Sequence, residues 1–269
     1  LADVWHANAK AFPSWMVSGP DTNPTLTTSA KAAIGVAGKL SPYQTNPFNL
    51  DPLRTLLQTH IDFERIARAS RPRLFIAATQ VRTGLVRFFD NREITVDVAL
   101  ASACLPAVSK AVEVDGEAYW DGGYSANPGL SCLAFDPALP EDILVILIVP
   151  RSFSGVPNTR LQIQNREAEF SFSTSFRREA QLIAESTRIA EGTMLGGRLE
   201  RRLKAVRWHL IDGGDQLGRL NPQTRLIAYQ PFLEHLRDQG RELAGRWLDS
   251  YEPQLGRNST ITLRDLAGV

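Results

Sequence analysis

Asp121 has the best setting for chemistry in this chain. It ends a short apolar-alternating stretch and is followed at once by two glycines, in Ala118-Tyr119-Trp120-Asp121-Gly122-Gly123-Tyr124-Ser125. Glycine tolerates backbone angles and close approaches that side chains forbid. A carboxylate at a strand tip beside such a turn can be aimed into a cleft, and ligand sites of open α/β sheets lie beyond the carboxyl ends of their strands. Asp212-Gly213-Gly214 repeats the pattern after Val206–Ile211 and is its internal rival, read here as a turn. His209 is a second candidate base, although a strand histidine with a structural hydrogen bond is the plainer reading. The other histidines, His6, His60 and His235, are scattered singly. Cys104 and Cys132 sit in apolar surroundings and read as small buried hydrophobes in preference to a disulfide. No spacing resembles a zinc site.

The elements that would carry Asp121 are legible from periodicity and punctuation. Leu74 to Thr79 and Leu85 to Phe89 are apolar runs of strand length around the turn-like Arg82-Thr83-Gly84. Thr95 to Cys104 has helical spacing and is stopped by Pro106. Glu113 to Tyr119 holds a hairpin at Asp115-Gly116. Ile143 to Val149 is apolar at every position, which suits a central strand covered on both faces. Upstream, residues 2–12 suit a short helix, and residues 13–50 read as a long irregular connection or an apolar lid carrying Trp15 and Met16. Asp51-Pro52 opens a helix, and a second follows from Phe63 to Ala69. Downstream come one or two surface helices over 161–203 and an amphipathic helix over 229–251. The latter places Phe232, Leu233, Leu236, Leu243, Trp247 and Leu248 on one face. Helices alternating with apolar strands give an α/β chain with a three-layer α/β/α architecture.

With 30 basic against 29 acidic residues, charge offers no argument for nucleic acid. No segment reaches the ~20 apolar residues that span a bilayer. The sequence opens on Leu-Ala-Asp-Val-Trp, with no signal-peptide core. A cytoplasmic location is expected, with secretion or membrane association as alternatives.

Taken in order, four segments resemble the second half of the patatin-like phospholipase family. They are Leu74 to Gly84 (LFIAATQVRTG), Val98 to Pro106 (VALASACLP), Val112 to Gly116 (VEVDG) and Asp121-Gly122-Gly123. Ser41-Pro42-Tyr43 and Asn49-Leu50-Asp51-Pro52-Leu53 look like bacterial members. The stretches Phe232-Leu233, Gly240-Arg241, Trp247-Leu248 and Gly256 to Thr260 are similar to an extension that some of them carry. The resemblance implies a patatin-like sandwich over 1–205 and a mostly helical C-terminal extension over 206–269. It also implies a Ser-Asp dyad with Asp121 as base, Gly122 and Gly123 as motif glycines, and no metal or organic cofactor. Substrates would be acyl esters or lipids, with peripheral membrane contact as one consequence. The sequence departs from the family in having no Gly-x-Ser-x-Gly. The nearest look-alike, Gly123-Tyr124-Ser125-Ala126-Asn127, lacks the second glycine and lies on the wrong side of Asp121. The serine and the oxyanion loop are therefore expected upstream of Leu1, on an N-terminal segment or a separate chain, and the 269 residues alone are expected to be inactive. The alternative is a non-catalytic binding protein that retains the scaffold.

Overall fold

A computed structural model of the chain describes residues 2–37, 40–46, 51–151, 155–194 and 196–268. Two compact units emerge, residues 1–122 with 220–239, and residues 123–219 with 240–269. The chain is α/β, with short sheets among helices.

In the first unit, α1 (Ala2–Ala11) leads to a two-stranded antiparallel pair, β1 (Val17–Ser18) and β2 (Thr25–Leu26), and to α2 (Thr28–Ala37). The 13–50 stretch thus contains regular structure where an irregular connection is expected. The reason lies far off in sequence. Leu26 and Ala30 are buried against Ile227 and Phe232, which no local reading of composition reveals. Met16 packs on this same cluster, whereas Trp15 is exposed.

Helix α3 (Pro42–Thr45) follows Ser41, whose N–H donates to Gln44 Oε1. In α4 (Pro52–His60), Asp51 accepts from the Arg54 amide and Pro52 occupies the first turn, where its missing N–H costs nothing. Asp62 caps α5 (Phe63–Arg68) in the same way. Of the sequence segments singled out above, Asn49 and Leu50 lie outside the described residues.

The sheet that carries Asp121 is antiparallel. It contains β3 (Phe75–Gln80), β4 (Val86–Asp90), β5 (Val112–Val114) and β6 (Glu117–Asp121), in the order β4-β3-β6-β5. The β5–β6 turn uses Asp115 and Gly116 at positive φ (53° and 78°), the geometry a two-residue hairpin needs. Helix α6 (Val96–Ser102), capped by the Thr95 hydroxyl, lays Val98 and Ala101 on the sheet beside Ala78, Phe89, Ile94 and Tyr119. Phe89 and Tyr119 meet edge to face at 5.6 Å. The Arg87 guanidinium covers the Phe89 ring and donates to the Tyr119 hydroxyl at 3.1 Å.

The second unit opens with α7 (Ser131–Ala134), whose Leu130 and Ser131 amides donate to the Glu179 carboxylate. It continues through β7 (Asp142–Leu147), α8 (Arg160–Glu191), α9 (Arg198–Ala205) and β8 (Arg207–Asp212). It closes with α10 (Gly214–Leu217), the later half of α11 (Gln230–Tyr251) and α12 (Leu263–Ala267). Strands β7 and β8 pair in parallel from Asp142↔Arg207 to Leu147↔Asp212. Ile143, Val145 and Leu147 point into a core with Phe176, Ile183, Leu203 and Leu266.

Two expectations need correction here. β7 is covered on one face only: Leu144, Ile146 and Ile148 are 42%, 61% and 64% exposed. Helices α8, α9 and α12 all supply side chains to the cluster that holds Ile143, Val145 and Leu147. In α11, Phe232 and Trp247 are buried but Leu248 is exposed. One residue beyond Trp247 is a rotation of about 100°, which carries Leu248 off the packed face.

Candidate active site

Asp121 is the last residue of β6, half-buried, and register places it opposite Ala78 of β3. Its main chain is held on both sides. The Asp121 N–H donates to the Cys104 carbonyl at 2.9 Å, and the Asp121 carbonyl accepts from the Thr79 hydroxyl at 2.7 Å. The chain then turns through Gly122–Tyr124 as a single 3₁₀ turn. Gly122 is buried against β3 so closely that a Cβ would lie 2.2 Å from the Ala77 carbonyl oxygen. No side chain fits there, which gives the first motif glycine its physical reason. Gly123 is buried as well. The strand end, the clamped peptide groups and the close glycine turn together fix where the Asp121 Cα–Cβ bond leaves the sheet.

The other candidates are placed differently. His209 is fully buried, with Nε2 3.0 Å from Asp142 Oδ1 and Nδ1 3.2 Å from Thr260 Oγ1. Both ring nitrogens are engaged, so it is a structural histidine. Asp142 also takes two hydrogen bonds from Arg207 and one from the Gly256 amide. Arg207 chiefly, then Gly256 and His209, hold its carboxyl well below the usual carboxylate range against the opposing effect of burial. Asp212 is committed too, paired with Arg151 at 2.6 Å and accepting from the Gly214 amide. It serves the turn into α10.

Both cysteines are free thiols. Burial pushes Cys104 up and Cys132 up to about 11, the latter helped by the Glu179 charge. Neither presents the thiolate that a nucleophile requires. Among the described residues, no group of three or more His, Cys, Asp or Glu side chains is arranged to hold a metal ion. Among them too, no helix is long and apolar enough to cross a membrane.

Sequence reading singles out Asp121 and its glycines as candidates but assigns no part to Thr79 or to the Cys104 carbonyl. Thr79 carried a signal, being the one hydroxyl in the apolar run Leu74 to Thr79, but its partner is a main-chain atom 42 residues away.

No curated protein gives a significant match to the chain. The family model of the patatin-like phospholipases matches residues 19–133, a span that takes in β3 to β6, α6 and the Asp-Gly-Gly turn. Over residues 19–133, Asp121 included, the chain is thus similar to the patatin-like phospholipases.

Proposed function

We propose that the protein is a serine esterase or lipid acyl hydrolase working through a Ser-Asp dyad, with Asp121 as the base and the serine on residues outside these 269. The observation that carries this reading is the fixed delivery of the Asp121 carboxylate from a strand tip whose two flanking peptide groups are both hydrogen-bonded. A base held in a set direction would let a serine brought beside it react in an oriented step and not by chance collision.

The chemistry balances without a cofactor. The serine Oγ attacks the ester carbonyl while its proton passes to the Asp121 carboxylate. The tetrahedral oxyanion collapses and expels the alcohol, which leaves with that proton. Water then attacks the acyl-serine, gives its proton to Asp121, and the carboxylic acid departs as the serine recovers its hydrogen. Neither step needs a histidine, in keeping with His209 being spoken for by Asp142 and Thr260.

The exposed apolar face of β7 supports the reading that further residues complete the protein. A row of aliphatic side chains in water is unusual for a parallel sheet, which is normally covered on both sides. The second reading, a binding protein without catalysis, rests on the absence of Gly-x-Ser-x-Gly from these 269 residues. A fluorophosphonate probe separates the two when applied to the full polypeptide of the reading frame. The hydrolase reading expects covalent labelling that maps to a seryl peptide of the Gly-x-Ser-x-Gly type, and none on the 269-residue chain alone. Absence of labelling on the full polypeptide selects the binding protein.

A further inference from the structure

We infer that Thr79 is a positioning residue for the Asp121 carboxylate, acting through the Asp121 main chain. The inference rests on the reading of Asp121 as the dyad base and adds a residue to that machinery.

The direction of a side chain is set by the two peptide planes that meet at its Cα, because each plane is rigid and only φ and ψ turn. For Asp121, the preceding plane is anchored by N–H to the Cys104 carbonyl, and the following plane by its own carbonyl to the Thr79 hydroxyl. The second anchor is the vulnerable one. β6 ends at Asp121 and the chain enters the Gly122–Tyr124 turn, so the ladder with β3 stops there. A hydroxyl from the neighbouring strand takes over where the regular ladder gives out. Thr79 is well placed for this because it pairs with Trp120, one step back from Asp121, and is only 5% exposed. At 2.7 Å the contact has the ordinary length of a well-formed hydroxyl hydrogen bond. Gly122 completes the arrangement by seating the turn on the Ala77 carbonyl, immediately before Ala78 and Thr79 in the same strand. One strand, β3, thus fixes both the carboxylate-bearing residue and the turn that follows it.

A valine at position 79 keeps the shape and loses the donor, whereas a serine keeps the donor and loses a methyl. The test measures ester hydrolysis by the full polypeptide, with folded active sites counted by fluorophosphonate titration and melting followed in parallel. Thr79→Val is expected to lower kcat roughly 10–100-fold, in line with the cost of small misplacements, while KM stays within about twofold. Thr79→Ser is expected to recover most of that loss. The inference is overturned if Thr79→Val keeps the wild-type kcat per folded site, whatever its melting temperature. It is also overturned if Thr79→Ser is as impaired as Thr79→Val, which would make the methyl group, not the hydroxyl, the active part. Asp121→Asn is measured alongside. If that variant turns over like the wild type, it is the dyad reading that fails. If it is dead while Thr79→Val is unaffected, only the role of Thr79 fails.

Discussion

Gly122 lies flat against the main chain of Ala77, with room between them for a hydrogen and nothing larger: a Cβ would meet the Ala77 oxygen at 2.2 Å and its carbonyl carbon at 2.6 Å. The obstructing atoms are backbone in the middle of a paired strand, so they cannot swing aside as the end of a long side chain would. Gly122→Ala is therefore expected to force the turn off β3, with a cost of about 1–3 kcal/mol, the range for overpacking a filled site. Thermal or urea melting reads that loss directly. Gly245, which has open space around its Cβ position, serves as the contrast: Gly245→Ala is expected to be neutral or stabilising.

The node around Asp142 governs acid stability of the second unit. Its carboxylate receives Arg207, His209 and the Gly256 amide, tying both strands of the parallel pair to the 256–260 segment. Because the folded-state pKa is depressed, chiefly by Arg207, the ionised form is the one that stabilises the fold. That contribution is fully present above the unfolded carboxyl value of ~3.9 and is lost as pH falls below it toward the folded-state value. Asp142→Asn is expected to cost about 1–3 kcal/mol at neutral pH, since it removes the charge paired with the partly buried Arg207 and one of the two acceptor oxygens that Arg207, His209 and the Gly256 amide share. The variant also loses this part of the acid dependence, which urea melts at pH 7 and pH 3 will show as a smaller difference between the two pH values.

Arg202 is a buried guanidinium that donates to the carbonyls of Leu133, Ala134, Leu139 and Pro140. A planar fork reaches those acceptors and an ammonium group does not. Arg202→Lys is expected to recover little of the stability lost in Arg202→Met. Both variants should fall roughly 2–4 kcal/mol below wild type in urea midpoint analysis.

The thiols give a chemical readout of burial. Cys132, pushed up to about 11, is a neutral thiol at pH 8. Iodoacetamide is expected to alkylate it at least ~10-fold more slowly in the native protein than in urea, because the thiolate is the reacting form. Equal rates in the two states would contradict its placement beside Glu179.

The parts of this fold that can be read without coordinates are those whose causes are local. Asp51-Pro52 announces α4, Asp115-Gly116 announces the β5–β6 hairpin, and the apolar run after Pro72 announces β3. The order of motifs around Asp121 singles out a candidate site because each motif is a short local pattern. What stays hidden depends on partners distant in the chain. Helix α2 is held by Ile227 and Phe232, Arg202 answers carbonyls more than sixty residues away, and Thr79 meets Asp121 across a sheet. The apolar run of β7 shows a different limit. Periodicity records that every side chain of the run is apolar, but not that Ile146 and Ile148 face solvent while Val145 and Leu147 face helices.

The central claim is that the Asp121 carboxylate takes the proton of a nucleophilic serine, and turnover of a p-nitrophenyl ester by the full polypeptide addresses it most directly. Asp121→Asn keeps the side chain's shape and removes its basicity. The predicted result is a fall in kcat of about 10²–10⁴, the usual contribution of a general base, with the melting temperature close to wild type. Turnover within a factor of two of wild type would contradict the claim.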